Sequence, residues 1–168
     1  MKKCNAASFS TFAGRGIIKS DNELNFGSYL SHQSSLSPIS DADIVIAVGT
    51  SLSEVDIWRE SLGVSGKFIW VNSDPEAFSS SVGLHQKVIC NSEDFLRFLN
   101  DRIPVNYPNK WDIMVVKNFK RKCESEVNSV RPGITPLCYA LRECTDENTM
   151  FFSDMTQFAY VAKEVIPM

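Results

Sequence analysis

Polar residues follow two apolar segments of the sequence, as ligand-binding loops follow buried strands. The apolar run Ile44–Gly49 gives way to small polar residues in Gly49–Glu54, and the run Phe68–Val71 ends in Asn72–Asp74. Continuous Ile and Val residues without polar alternation are typical of parallel strands that are covered on both faces. Ligands of open parallel sheets bind outside the carboxyl ends of the strands. The two loops are therefore the first candidates for a binding site.

Asp74 has two interpretations. An acidic residue at the carboxyl end of a strand can bind a ribose hydroxyl, which would make the loops a site for FAD or ADP. Alternatively, Asp74 is the N-cap of a helical turn with Pro75 at its first position, which is the favoured interpretation. Only one glycine, Gly49, follows the first strand, so the dinucleotide fingerprint of three spaced glycines is not met.

The composition argues against several other classes of function. A net charge of −3, from 17 basic and 20 acidic residues, disfavours nucleic-acid binding, which needs clustered Lys and Arg. The five cysteines contain no Cys-x-x-Cys pair, so we predict neither a zinc site nor a disulfide framework. No window approaches the roughly 18 apolar residues of a membrane span, and no signal core follows Met1. We expect a cytoplasmic protein that has no membrane partner.

Alternating apolar strands and amphipathic helices predict an α/β fold with a parallel, Rossmann-like sheet. A third strand is predicted at Lys87–Cys90, before a helix that opens at Ser92. Residues 23–36 carry apolar side chains at near-helical spacing. A short strand at Ala6–Phe12 begins the chain without a leading segment beside it, so we expect residues 1–103 to be an incomplete domain.

A change in amino-acid composition separates this region from the rest of the chain. Residues 104–133 carry prolines at both ends and charged residues between them, which predicts a partly helical linker. Residues 134–168 then begin a second α/β domain as helix, strand and helix. Thr135 and Pro136 are predicted to start the helix, and Thr149–Ser153 is the predicted strand. A lone helix-strand-helix unit cannot bury its apolar faces, so we expect the chain to be the middle of a larger protein.

Four segments carry a resemblance to a known family: Thr11–Ile17, Ser40–Gly49, Trp70–Pro75 and Pro136–Phe152. In this order they resemble the glycine turn and two strands of the central domain, and the first helix and strand of the diphosphate-binding domain, of thiamine diphosphate-dependent enzymes. These are the acetolactate synthases and 2-oxo acid decarboxylases. Two further motifs, Gly49–Trp58 and Asp154–Tyr160, are most similar to the 5-guanidino-2-oxopentanoate (2-ketoarginine) decarboxylase group.

The resemblance implies thiamine diphosphate and magnesium as cofactors, a 2-oxo acid as the small-molecule substrate, and a homodimer or homotetramer as the complete enzyme. In the family, the loop after the first strand of the diphosphate-binding domain touches the diphosphate, and here that loop is Asp154–Tyr160. Thr156 and Gln157 are the cofactor-binding candidates, since they would add side-chain donors at a helix N-terminus. The alternative for Thr156 is that it only caps the helix.

The family's catalytic glutamate and its Gly-Asp-Gly magnesium motif match no segment of this chain. We therefore assign no catalytic and no metal-binding residue. The expected function is that of a fragment of a 2-oxo acid decarboxylase or an acetolactate synthase-like enzyme, inactive when alone. An FAD- or ADP-binding scaffold module and a truncated non-catalytic gene product remain the alternatives.

Overall fold

The computed structural model describes residues 3–78, 86–104 and 111–168. The chain divides into two compact units, unit 1 from residues 1–6 and 30–110 and unit 2 from residues 7–29 and 111–168. Its strands are parallel and lie in two small sheets, with helices in both units. The α/β fold class predicted from the sequence is confirmed.

The regular elements follow one another in chain order as short strands and helices. The strands are β1 (Ser8–Phe9), β2 (Asn25–Gly27), β3 (Ile44–Val48), β4 (Lys67–Asn72) and β5 (Gln86–Ile89). The helices are α1 (Leu36–Ser40), α2 (Glu54–Ile57), α3 (Ser92–Arg102), α4 (Ile113–Val130), α5 (Ile134–Glu143) and α6 (Gln157–Val165). No helix within the described ranges is both long enough and apolar enough to span a membrane.

Unit 1 is built on a parallel sheet in the order β3-β4-β5. The central strand β4 is the most buried, with Phe68, Trp70 and Val71 inaccessible to solvent, in agreement with the apolar run in the sequence. Gly66 lies where the chain enters this strand. A Cβ atom there would stand 2.4 Å from the carbonyl oxygens of residues 42 and 43, so only glycine allows the backbone to approach β3 this closely.

Unit 2 packs the parallel pair β1-β2 against helices around an aromatic core. Helix α4 buries Val116, Phe119, Cys123 and Val127, a spacing of three and four residues that places them on one face. The ring of Phe26 stacks on Phe9, with 4.8 Å between centroids, and meets Phe119 edge-on at 5.0 Å. Burial of each such ring contributes about 1.5–3 kcal/mol to folding.

The glycine turn near the start of the chain holds the carboxyl end of α6. Nη1 of Arg15 donates a hydrogen bond to the carbonyl of Ala162 at 2.9 Å, and its other terminal nitrogen donates to the carbonyl of Ile166. Ile166 is the C-cap residue of α6, and its N–H also donates to the carbonyl of Ala162 at 3.1 Å, so Arg15 adds hydrogen bonds at the end of the helix. Burial lowers the pKa of the Arg15 guanidinium, but a cation at this position is favoured by the helix dipole. The contact fixes the axis of α6.

Two sequence-based predictions about secondary structure are wrong in this region. The predicted strand Thr149–Ser153 is not a strand, because no strand among the described residues lies beside it to complete a ladder. Its Met150 and Phe152 side chains are 78% and 87% exposed. Thr135 does not cap α5 and Pro136 is not its first residue: the helix begins at Ile134, after the N-cap Gly133, which has φ 83°.

Residues 23–36 do not form a helix, in contrast to the near-helical spacing of their apolar residues. They contain β2, a 3-10 turn at Gln33–Ser35 and the start of α1. The side chain of Asn25 accepts a hydrogen bond from the N–H of Gly27 at 2.8 Å, and Gly27 has φ 83°. This local turn breaks the helical path. By contrast, the helix predicted within the linker 104–133 is confirmed as α4, while residues 105–110 of that linker lie outside the described residues.

Candidate functional site

The 154–160 turn (Asp154–Tyr160) leads into helix α6 of unit 2. Thr156 has an extended backbone, with φ −105° and ψ 168°, and its Oγ1 accepts a hydrogen bond from the N–H of Ala159 at 3.3 Å. Thr156 is therefore the N-cap of α6, as the second interpretation of this residue predicted. Capping uses a lone pair of the hydroxyl and leaves its hydrogen available to donate to a ligand, so the cap does not exclude a binding role.

The first turn of α6 presents unpaired backbone donors. The N–H groups of Gln157 and Phe158 have no hydrogen-bond partner within the described part of the chain. Such groups carry the positive end of the helix dipole, which favours anions. The N–H groups of a helix point along its axis toward the N-terminus, so these two donors face out of the start of α6, whose Val161 and Val165 side chains are buried.

The side chain of Gln157 is held by a residue from another helix. Its Oε1 accepts a hydrogen bond from Nε of Arg131 at 2.7 Å. Arg131 is the C-cap residue of α4, and its guanidinium carbon lies 5.5 Å from the centroid of the Tyr160 ring. The structure thus places Arg131 beside Gln157, one of the two predicted site residues.

The donors around this turn suit a phosphate group. They comprise a hydroxyl, an amide, a guanidinium and two backbone N–H groups, all of which donate hydrogen bonds to anionic oxygens. The single charged side chain within the turn itself is the carboxylate of Asp154, which opposes an anion. The residues present therefore fit the diphosphate portion of thiamine diphosphate, whereas they give no basis for assigning a magnesium ligand.

The other predicted loops meet at the carboxyl ends of β3 and β4 in unit 1. The carbonyl of Thr50 accepts hydrogen bonds from Nε1 of Trp70 at 2.8 Å and from Nδ2 of Asn72 at 3.2 Å. These bonds join the two loops below an open pocket of about 1050 Å³. Its wall is formed by residues 51–55 and 57–60 together with Asp74, Glu76 and Ala77. The open pocket therefore lies beside the loops that follow β3 and β4.

The charge of this pocket does not suit a nucleotide. Four carboxylates line it, those of Glu54, Glu60, Asp74 and Glu76, against the one guanidinium of Arg59. Arg59 is turned toward backbone carbonyls: Nη1 donates to the carbonyl of Leu30 at 2.8 Å and Nε to that of Ser61 at 3.0 Å. Burial lowers the pKa of Arg59. The diphosphate of FAD or ADP would meet a negative surface.

Asp74 is the N-cap of a helical turn, as its favoured interpretation predicted. Its Oδ1 accepts a hydrogen bond from the N–H of Glu76 at 2.9 Å, and Pro75 is the first residue of a 3-10 turn. One carboxylate oxygen is thereby committed to the cap. The ribose-binding role of Asp74 consequently gains no support from the geometry.

Arg131 was missed by the sequence analysis. It lies 26 residues before Gln157 in the sequence, and no motif relates the two positions. The available signal was local: a basic residue at the end of a helix, followed by Pro132 and Gly133, is typical of a helix terminus. That signal predicts where α4 ends but does not predict which helix the guanidinium contacts.

Comparison with known proteins gives two findings. Residues 1–99 match the family model described as "Thiamine pyrophosphate enzyme, central domain". Over 71 residues the chain is 41% identical to a protein of Pseudomonas aeruginosa named "Probable 2-ketoarginine decarboxylase AruI". That alignment covers 42% of this chain and 13% of the relative, so the chain corresponds to a small part of the length of the relative.

Proposed function

Because this chain belongs to the thiamine pyrophosphate enzyme central-domain family, we propose that it is part of an enzyme that acts on a 2-oxo acid. Its cofactor would be thiamine diphosphate, which is another name for thiamine pyrophosphate. The resemblance to this superfamily and to its 2-ketoarginine decarboxylase group, drawn above from sequence motifs, is confirmed. The substrate proposed for the complete enzyme is a 2-oxo acid with a guanidino group, by likeness to the named relative. The alternative, which uses the same cofactor, is the reaction of an acetolactate synthase-like enzyme.

The single observation that supports a cofactor role for this chain is the set of unpaired donors at the start of α6. The N–H groups of Gln157 and Phe158, the hydroxyl of Thr156 and the amide of Gln157 surround one turn. We assign the diphosphate of the cofactor to this turn, with Thr156 and Gln157 as binding residues. The dipole of α6 and the hydrogen bonds would together neutralise part of the charge of the diphosphate.

Bound thiamine diphosphate supplies the nucleophilic carbon and the electron sink that decarboxylation of a 2-oxo acid requires. The residues of this chain would bind the cofactor and orient it. Thr156 holds the first turn of α6 in place through its cap and donates its hydroxyl hydrogen to a phosphate oxygen. Gln157 donates from its amide, and Arg15 anchors the other end of the same helix. Unit 1 provides a scaffold.

The proposal extends to the organisation of the whole enzyme. Residues 1–103 belong to its central domain, residues 104–133 to a linker and residues 134–168 to its diphosphate-binding domain. Magnesium completes the cofactor site through residues that this chain does not match, and the complete enzyme is a homodimer or homotetramer in the cytoplasm. Since no residue here corresponds to the family's catalytic glutamate, the chain alone does not turn over its substrate.

Two measurements on the purified 168-residue chain test this proposal. Isothermal titration calorimetry with thiamine diphosphate is expected to give binding that inorganic pyrophosphate competes for, since both ligands would use the 154–160 turn. A coupled assay for carbon dioxide release from 5-guanidino-2-oxopentanoate, with cofactor and magnesium, is expected to give no signal. Absence of binding contradicts the cofactor site, whereas release of carbon dioxide contradicts the assignment of catalysis to sequence outside this chain.

A further inference from the structure

Arg131 lies along the first turn of α6, although it belongs to the end of α4. Its Nε is 2.7 Å from Oε1 of Gln157, and its guanidinium carbon is 5.5 Å from the ring centroid of Tyr160. Gln157 and Tyr160 are three residues apart on α6 and therefore share a face of the helix. The guanidinium is thus held at two points, against side chains of the first turn of α6.

The contact with Arg131 determines which way the amide of Gln157 faces. A guanidinium nitrogen can only donate a hydrogen bond, so the amide atom facing it at 2.7 Å must be the oxygen. The amide nitrogen of Gln157 then points away from Arg131, and its two hydrogens have no acceptor within the described part of the chain. The contact with Arg131 thus leaves the amide nitrogen of Gln157 available to donate hydrogen bonds, which is what binding to an anion requires.

The guanidinium itself keeps donors available. Only Nε of Arg131 makes a hydrogen bond, so Nη1 and Nη2 have no acceptor among the residues that the structure describes. Two parallel N–H donors match two oxygens of a phosphate group, and such bidentate pairs are the strongest hydrogen bonds that proteins make with phosphate.

Charge balance calls for a cation at this position. The one charged side chain within the 154–160 turn is Asp154, and the diphosphate is itself an anion. The helix dipole offers only about half a positive charge. A guanidinium from another element would offset the carboxylate and leave the dipole and the hydrogen bonds to act on the ligand.

From these contacts we propose that Arg131 is a diphosphate-binding residue of this chain: Nε orients the amide of Gln157, and Nη1 and Nη2 bind the phosphate oxygens directly. The assignment deepens the proposed function and depends on it, because it places a third side chain in the same anion site.

The test measures binding of inorganic pyrophosphate to the full 168-residue chain, without magnesium, by calorimetry. Arg131→Ala is expected to weaken binding about tenfold or more, the usual effect of losing a hydrogen bond to a charged group. Arg131→Lys keeps the charge but lacks the paired Nη1 and Nη2 donors, so its affinity for pyrophosphate should lie between those of Arg131→Ala and the unaltered chain. Gln157→Glu retains an oxygen for Arg131 but replaces the amide donors by a negative charge, and it should abolish measurable binding.

Arg121→Ala is the matched control. Arg121 is exposed on α4, has no partner within the described ranges and carries the same charge. It lies ten residues earlier on the helix, about 15 Å along the axis, which exceeds the Debye length of about 8 Å at physiological salt. This variant should bind pyrophosphate as the unaltered chain does, within about twofold. Thermal unfolding of each variant shows whether it is folded.

The side-chain amide resonances of Gln157 provide a readout that a purely structural role of Arg131 would not change. In the unaltered chain they should shift when pyrophosphate is added, and in Arg131→Lys they should shift less at equal saturation. Equal affinity and equal shifts in the Arg131 variants would overturn the assignment of Arg131 while leaving the anion site intact. If the unaltered chain binds no pyrophosphate, the proposed function fails and the assignment of Arg131 fails with it.

Discussion

Replacing Thr156 by alanine, asparagine or aspartate separates helix capping from anion binding at the 154–160 turn. Thr156 caps α6 through a hydrogen bond of 3.3 Å from the N–H of Ala159, which is longer than the usual 2.9–3.0 Å and therefore weak. Alanine removes this bond. An N-cap of this kind contributes about 0.5–2 kcal/mol, and the length of the bond points to the lower half of that range.

The expected loss for Thr156→Ala is therefore about 0.5–1 kcal/mol of the free energy of unfolding, or roughly 1–4 °C in Tm for a chain of this size. Asparagine and aspartate are both good N-cap residues, so Thr156→Asn and Thr156→Asp should be at least as stable as the unaltered chain. The two variants have nearly the same shape. They differ by one negative charge at the start of α6.

That charge should weaken binding, whereas at a helix N-terminus it favours the folded state by about 0.3–1 kcal/mol. Two unit charges about 5 Å apart repel by about 0.8 kcal/mol in water and by about 3 kcal/mol at an effective dielectric constant of 20. Thr156 is exposed, so the lower value applies to each charge of the ligand, and pyrophosphate carries at least two. Thr156→Asp should then bind pyrophosphate at least about tenfold more weakly than Thr156→Asn.

Calorimetry for binding and differential scanning calorimetry for stability are sufficient to measure both effects. If Thr156→Asp and Thr156→Asn bind pyrophosphate equally well, the ligand does not lie at the start of α6 and the reasoning is refuted. If Thr156→Ala unfolds at the same temperature as the unaltered chain, the cap makes no contribution to stability. The two results are independent of each other.

Four further predictions follow from particular contacts. Gly66→Ala should destabilise unit 1 by about 2 kcal/mol or more in urea unfolding, because its Cβ would stand 2.4 Å from backbone oxygens that cannot move aside; an unchanged midpoint would show that the close approach to β3 is not real. Phe119→Ala should cost about 3–5 kcal/mol and Phe119→Leu much less, as measured by the same unfolding curves, since the ring lies in the aromatic core of unit 2. Burial and a hydrogen bond to Glu124 raise the pKa of Tyr139 from 10.0 to about 12, so the neutral phenol is favoured in the folded state. The contribution of Tyr139 to the free energy of unfolding should be fully present below pH 10 and be lost as the pH rises toward 12. In a plot of the free energy of unfolding against pH, Tyr139→Phe should flatten this fall. Identical plots for the two proteins would contradict the raised pKa of Tyr139. Calorimetric titration with ADP or FAD should give no heat of binding, because of the carboxylates around the unit 1 pocket, and micromolar binding would revive the nucleotide-binding alternative.

The parallel strands of unit 1 were predictable because their sequence signal is local. Ile44–Val48 and Lys67–Asn72 are apolar runs bounded by turn residues, and each run became a parallel strand. The predicted burial of the first strand on both faces is wrong, because Ile44 and Ile46 are 52% and 39% exposed. Asp74 and Pro75 likewise form a cap and a first helical position as their types indicate. In each case a segment of fewer than ten residues contains the whole signal.

Two of the failures occurred where the outcome depends on a distant partner. Thr149–Ser153 has the composition of a strand, but a strand exists only through hydrogen bonds to a neighbour, and no described strand supplies them. Arg131 joins the candidate site through the packing of α4 within unit 2, which the local sequence does not encode. For Thr156 the sequence offered the correct cap, whereas the free donors of Gln157 and Phe158 became evident only with the hydrogen bonds assigned.

The most direct test of a diphosphate site in this chain is the mapping of thiamine diphosphate onto it by nuclear magnetic resonance. Backbone amide shifts of the isotope-labelled chain would be recorded with thiamine diphosphate and, as the matched ligand without phosphate, with thiamine. We predict that thiamine diphosphate shifts the amides of Gln157 and Phe158 most strongly, together with the side chain of Gln157, and that thiamine leaves them unchanged. Equal shifts with both ligands, or shifts confined to the residues of the unit 1 pocket, would contradict the proposed site.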